Sequence, residues 1–116
     1  MTDKIDFGSM SVRQLMSRRR RLVKSLPDIE GLITGSVVDQ GRRCGKEGCR
    51  CTTGELHGPY TYVVLPRIQG RTRTVYVPKS AAEAVRQGAA ISIEVQEILQ
   101  EISAINIELL TRRKLP

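Results

Sequence analysis

Tryptophan is absent from this chain of 116 residues, histidine occurs once, and the aromatic rings of Phe and Tyr are confined to Phe7, Tyr60, Tyr62 and Tyr76. A single small domain with so few large side chains builds a modest core and gains from a staple, usually a bound metal or self-association. Cysteine is scarce as well. The three present are an odd number, and no apolar signal peptide precedes them, which argues against a secreted disulfide framework. No apolar run approaches the roughly 18 residues of a membrane span, so no membrane partner is expected and the predicted compartment is cytoplasmic. Catalytic motifs are missing in the same way. There is no Ser/His/Asp set, no paired-carboxylate motif and no G-x-x-x-x-G-K-[ST] phosphate loop, so no enzymatic activity is predicted and no catalytic residue is named.

What the chain does have is concentrated. Cys44, Cys49, Cys51 and His57 fall in one segment with the spacing C-x4-C-x-C-x5-H. Three thiols and one imidazole supply the four ligands of a closed, tetrahedral structural zinc site. Gly45, Gly48 and Gly54 lie among them, where tight turns need a backbone without Cβ. The spacing differs from the paired C-x2-C of common zinc fingers, and thiolate-rich sites accept iron as well as zinc. The same residues also read as reduced thiols and a surface histidine in a glycine-rich loop. A three-cysteine site with water in the fourth position, and Glu47 or Glu55 as acid or base, is the one enzymatic arrangement the segment would allow. Zinc as a structural cofactor is the expectation adopted.

The formal net charge is +7, which points to a polyanionic partner, most often nucleic acid. Its distribution is uneven. Residues 12–24 carry Arg13, Arg18, Arg19, Arg20, Arg21 and Lys24 and no acid, whereas residues 89–111 carry Glu94, Glu97, Glu101 and Glu108 and no base. Around the cysteines, Arg42, Arg43, Lys46, Arg50, Arg67, Arg71 and Arg73 outnumber Glu47 and Glu55. Those seven are the predicted nucleic-acid contacts, with DNA favoured over RNA. Tyr60, Tyr62 and Tyr76 either stack on a base or fill the core, and at least two of them are expected in the core.

Periodicity places these residues on elements. Ser9 or Ser11 caps a helix running to about Leu26, with Leu15, Met16, Leu22, Val23 and Leu26 as its apolar stripe and Pro27 as its stop. Residues 18–21 wrap more than one turn, so the four arginines cannot share one partner. Residues 31–39 read as a strand, and residues 60–68 and 71–77 as a hairpin about Gln69-Gly70. A two-residue loop there pairs Val64 with Val75, Val63 with Tyr76 and Tyr62 with Val77. Gln suits the positive φ of such a turn poorly, which leaves a four-residue loop open. Pro66 lacks a donor and marks an edge strand. Ser80 can cap a short helix to about residue 88, after which Ile91, Val95, Ile98, Ile102, Ile105 and Leu109 repeat at 4-3-4-3-4, a heptad seam. That seam is covered by the first helix or by a second copy. A homodimer is the expectation adopted, with a protein partner through the terminal helix as a further option.

The predicted architecture is α+β: a small antiparallel sheet of about three strands with a zinc-stapled loop, flanked by an N-terminal helix and a long C-terminal heptad helix. Residues 1–10 form a flexible N-terminus and residues 11–116 a single domain, divided into a basic helix (11–26), sheet and metal loop (31–78) and a helical region (80–114).

The motif Cys44-Gly45-Lys46, Gly48-Cys49, Cys51, Gly54, His57-Gly58-Pro59-Tyr60 and Tyr62, followed by residues 71–78 and an isoleucine-rich terminal helix, resembles a widespread set of small bacterial and archaeal proteins that carry a domain of unknown function. The similarity spans roughly residues 30–112. It implies metal binding and a prokaryotic setting, in a set with members linked to mobile elements such as transposons or phages. It brings no activity with it. Together these readings predict a zinc-binding, basic nucleic-acid-binding accessory protein associated with a mobile genetic element, and, as the competing expectation, a zinc-stabilised dimerisation adaptor that binds no nucleic acid.

Overall fold

The computed structural model of the chain describes residues 5–43, 45–46, 48, 54–68 and 70–115. Its elements are α1 (Val12–Lys24), β1 (Ser36–Arg42), β2 (His57–Ile68), β3 (Arg71–Val77) and α2 (Ala82–Thr111). This is the expected α+β layout of an N-terminal helix, a three-stranded antiparallel sheet and a long C-terminal helix. The chain divides into two compact units, one formed by residues 1–28 with 93–116 and the other by residues 29–92. Among the described residues no helix is long and apolar enough to cross a membrane.

In the helical unit α1 begins at a reciprocal cap. The Ser11 hydroxyl accepts from the Gln14 backbone N–H (3.1 Å), and the Gln14 side chain accepts from the Ser11 N–H (2.8 Å), so two orphan donors of the first turn are satisfied together. Leu15, Ile105 and Leu109 are wholly buried, with Phe7, Met10, Val12 and Leu22 packed against them. Each such burial removes a large apolar surface from water and contributes roughly 1.5–3 kcal/mol. Met16, Val23 and Leu26, which the periodicity put on the same stripe, are exposed. The buried stripe is therefore narrower than predicted.

Polar contacts fix the helix pair as antiparallel. Arg18, midway along α1, forms an ion pair with Glu101 and Arg19 donates to Asn106 (2.7 Å), while Arg112 reaches back to the residues before α1. Its guanidinium donates to the carbonyls of Met10 (2.7 Å) and Phe7 (3.1 Å) and to the Glu108 carboxylate (2.9 Å). Before α1, the Asp6 carboxylate caps the short 3-10 turn Phe7–Ser9 by accepting from the Gly8 N–H (3.1 Å). α2 ends where Arg113 turns left-handed (φ 56°) and the Lys114 N–H donates to the Leu109 carbonyl (2.8 Å), the closing bond of a Schellman cap.

In the sheet unit the strand order is β1-β2-β3. β2, which carries Pro59 and Pro66, is the central strand, and this corrects the expectation that Pro66 marks an edge. The ladder accommodates both prolines at irregularities. Gln40 lies opposite Tyr60 and Arg42 opposite His57, so Gly58 and Pro59 face the single residue Gly41. Leu65 lies opposite Arg73 and Ile68 opposite Arg71, so Pro66 and Arg67 face the single residue Thr72. A proline has no N–H to give, and a bulge is where a strand can spare one.

The second bulge also corrects the predicted register. Ile68 and Arg71 pair as a two-residue connection requires, but beyond the bulge every partner shifts by one: Tyr62 is opposite Tyr76, Val63 opposite Val75 and Thr61 opposite Val77. Because side chains alternate, a one-residue slip exchanges faces. Tyr76 joins Tyr60 and Tyr62, while Arg73, Val75 and Val77 join Val63 and Leu65 on the other side.

Residues 82–92 of α2 belong to this unit, and the helix runs through Gly88 without the break expected there. Gly88 is buried, and its carbonyl accepts from the Ile33 N–H (3.1 Å). A Cβ at 88 would collide with the Gly31 carbonyl oxygen. The residues predicted to begin the first strand at 31 instead form this close approach to α2, and β1 starts only at Ser36.

Candidate nucleic-acid interface

The two faces of the sheet differ in kind. One carries Val63 and Val77, both buried, and a shallow apolar cavity of about 260 Å³ lined by Ile33, Leu65, Val75 and Val85 among others. The sheet's one carboxylate, Asp39, is on this side. It accepts from the Thr61 hydroxyl (2.7 Å) and from the Arg86 guanidinium of α2 (3.2 Å). The Thr61 hydrogen bond is the largest influence on the Asp39 carboxyl; desolvation opposes it, and the charge and hydrogen bond of Arg86 add to it, so the carboxyl is held below its ordinary value.

The other face carries Ser36, Val38 and Gln40 from β1, Tyr60, Tyr62 and Val64 from β2, and Thr74 and Tyr76 from β3. No acid is among them. Tyr76 lies edge-on to both neighbours, with ring centroids 6.4 Å from Tyr60 and 5.9 Å from Tyr62, within the separation at which such pairs contribute about 0.5–1.5 kcal/mol beyond area burial. Arg42 follows the first bulge and places its guanidinium 4.7 Å from the centre of the Tyr62 ring, a cation–π contact of about 0.5–1 kcal/mol at an exposed site. Tyr62 is accordingly buried, at 9 % exposure, but Tyr60 (37 %) and Tyr76 (53 %) are exposed. The expectation that at least two tyrosines serve the core is corrected: one does. At the end of the sheet a groove of about 570 Å³ is lined by Gly58, Pro59, Tyr60, Tyr76 and Lys79 among others.

The predicted basic contacts are only partly gathered here. Arg42 is on the tyrosine face, and Arg43 and Lys46 are exposed in the loop that follows it. Arg71 and Arg73 are exposed on β3, Arg73 on the opposite face, and Arg67 is at the second bulge. Arg50 lies outside the described residues. Lys79, beside Tyr60 and Tyr76, carried no sequence signal; only the fold brings it there. In the helical unit Arg18 and Arg19 turn to Glu101 and Asn106, leaving Arg13, Arg20, Arg21 and Lys24 exposed. Arg13 and Arg21 flank a groove of about 360 Å³ with Gln14 and Ser17.

Of the predicted metal ligands, Cys44, Cys49 and Cys51 lie outside the described residues. His57 is the first residue of β2 and stands opposite Arg42, the last of β1. The β1–β2 pairing therefore closes the intervening segment into a hairpin loop, bringing its two ends together as a ligand set drawn from both ends requires. Gly45 and Gly48 adopt φ of 75° and 77°, a left-handed conformation that glycine reaches without a steric cost. Among the described residues no three His, Cys, Asp or Glu side chains cluster as a metal site.

Of the predicted oligomerisation seam, Ile105 and Leu109 are buried within the chain and Ile91, Val95, Ile98 and Ile102 are half-buried. The large apolar side chains that α2 exposes are Ile93, Leu99, Ile107 and Leu110, off that seam.

A family model described as a domain of unknown function, DUF6788, matches residues 12–87, which takes in α1, the whole sheet and the start of α2. No curated protein and no solved structure matches the chain.

Proposed function

The chain belongs to the DUF6788 family, and we propose that it is a nucleic-acid-binding accessory protein, with structural zinc in the β1–β2 loop and the tyrosine face of the sheet as its contact surface. The observation that carries the reading is a sheet face of exposed rings with no carboxylate on it. One face holds exposed rings and Arg42 without a carboxylate, and the one acid of the three strands is tied to Thr61 and Arg86 on the other. Arg43, Lys46 and Lys79 extend the positive potential around that face, and the exposed Arg13, Arg20, Arg21 and Lys24 supply a second basic patch. Within the loop, three thiols and one imidazole fit a closed zinc shell, which would hold Arg43, Lys46 and Arg50 in fixed positions and leave no open coordination site for catalysis. The link to mobile elements rests on the sequence resemblance.

Each phosphate neutralised by Lys or Arg releases condensed counterions, so affinity must fall steeply with salt. Fluorescence anisotropy of the full chain with labelled duplex DNA, single-stranded DNA and RNA, across roughly 50–300 mM salt, tests the reading. Binding that weakens log-linearly with salt is expected. No binding to any of the three at the lowest salt would overturn it.

A second reading, self-association through α2, is favoured by Ile93, Leu99, Ile107 and Leu110, which are exposed in the single chain. Sedimentation equilibrium separates it from the first: a concentration-dependent dimer that Leu99→Glu with Leu110→Glu abolishes would support it, and a monomer throughout would remove it.

A further inference from the structure

Resting on the nucleic-acid reading above, we infer that the tyrosine face takes single-stranded nucleic acid, with unpaired bases stacked on Tyr60 and Tyr76 and Arg42 standing beside them. Three observations lead there. First, the exposed groups at the centre of this face are rings, which offer flat surfaces to base faces; base–aromatic stacking is tolerant of sequence and requires the base to be out of a duplex.

Second, the spacing is wrong for a paired helix. The Tyr60 and Tyr76 centroids are 6.4 Å apart and their planes meet at 67°. Bases along one strand of duplex DNA rise by about 3.4 Å and remain parallel. Two neighbouring bases can use both rings only if they are splayed apart, which base pairing forbids and a flexible single strand permits.

Third, the charge beside the rings has one sign. Lys79 lines the groove that Tyr60 and Tyr76 share, and Arg42 lies over Tyr62 between the rings and the basic loop. A backbone crossing the rings passes both cations, and Asp39 is turned to the other side. Tyr62 serves as the support, held by Arg42 above and Tyr76 at its edge.

The test is direct because the chain has three tyrosines and no tryptophan. Its tyrosine emission comes wholly from this face, and stacked bases quench it. Titrating the full chain with a homopolymer pyrimidine single strand should quench that emission as the complex forms, and should bind more tightly than a duplex of equal length. DNA and RNA strands run in parallel identify the preferred sugar. Tyr76→Leu should weaken single-strand binding by about tenfold or more, the loss of one stack, with little change for duplex. Tyr76→Phe keeps the ring and should restore the affinity. Tyr76 is largely exposed, and circular dichroism of both variants checks that the sheet survives. Duplex binding as tight as single-strand binding, without quenching, would overturn this inference and leave the nucleic-acid reading standing. Equal losses in Tyr76→Leu and Tyr76→Phe would also overturn it, since the ring would not matter. Absence of binding to every strand at low salt would overturn both.

Discussion

Gly88 shows how tertiary packing reverses an intrinsic preference. In an isolated helix, replacing glycine with alanine gains about 1 kcal/mol. Here the added methyl would run into the Gly31 carbonyl oxygen and lie 3.2 Å from Ile33 Cγ1. Both are held in place by the Ile33–Gly88 backbone hydrogen bond. Gly88→Ala should therefore lower the unfolding free energy by about 1–3 kcal/mol, the usual range for overpacking, in urea denaturation followed by circular dichroism. A gain in stability would show that residues 31–33 yield freely. The arginine run makes a related point. Its sequence excludes a single shared partner, but the choice of Arg18 and Arg19 as the inward pair depends on Glu101 and Asn106, more than eighty positions away, and no local rule connects them.

At the scale of elements, Asp39 links β1 to β2 through Thr61 and to α2 through Arg86. Its folded carboxyl titrates below the ordinary 3.8, so the folded state binds that proton less readily than the unfolded chain. The sign follows. The contribution is complete above the unfolded value and is lost as pH falls through the lowered folded one. Asp39→Asn should melt below the parent protein near neutral pH, and the difference should shrink as pH falls below the ordinary 3.8; a gap that stays constant across that range would exclude the carboxylate as its source. The order of elements was legible because most have a local signal: a cap at Ser9 or Ser11 ahead of an apolar stripe, alternation in residues 60–77, and a heptad pattern in α2. Register was not. Pro66 announced that a ladder bond is missing, but an edge strand and a bulge remove it equally well, and only pairing on both sides of β2 separates them. That one-residue slip concealed the tyrosine cluster. With the bulge allowed for at Pro66, Tyr62 and Tyr76 fall opposite each other.

For the molecule as a whole, the sheet unit is small, and among its described residues the buried hydrophobic side chains are those of Tyr62, Val63 and Val77. If zinc staples its hairpin loop, metal-binding energy is folding energy. Chelation, or Cys49→Ser, should then lower the melting temperature and release one zinc per chain by elemental analysis; unchanged melting and metal content in Cys49→Ser would remove zinc from the account. The basic character of the chain was plain from composition, whereas its division between faces had to await the fold. β3 is an edge strand of the sheet, and among the described residues no further strand pairs with its outer side. Arg71 and Arg73 alternate along it and are exposed. Two such strands meeting edge to edge would press like charges together, so these arginines guard the sheet against growing, copy by copy, into a fibril.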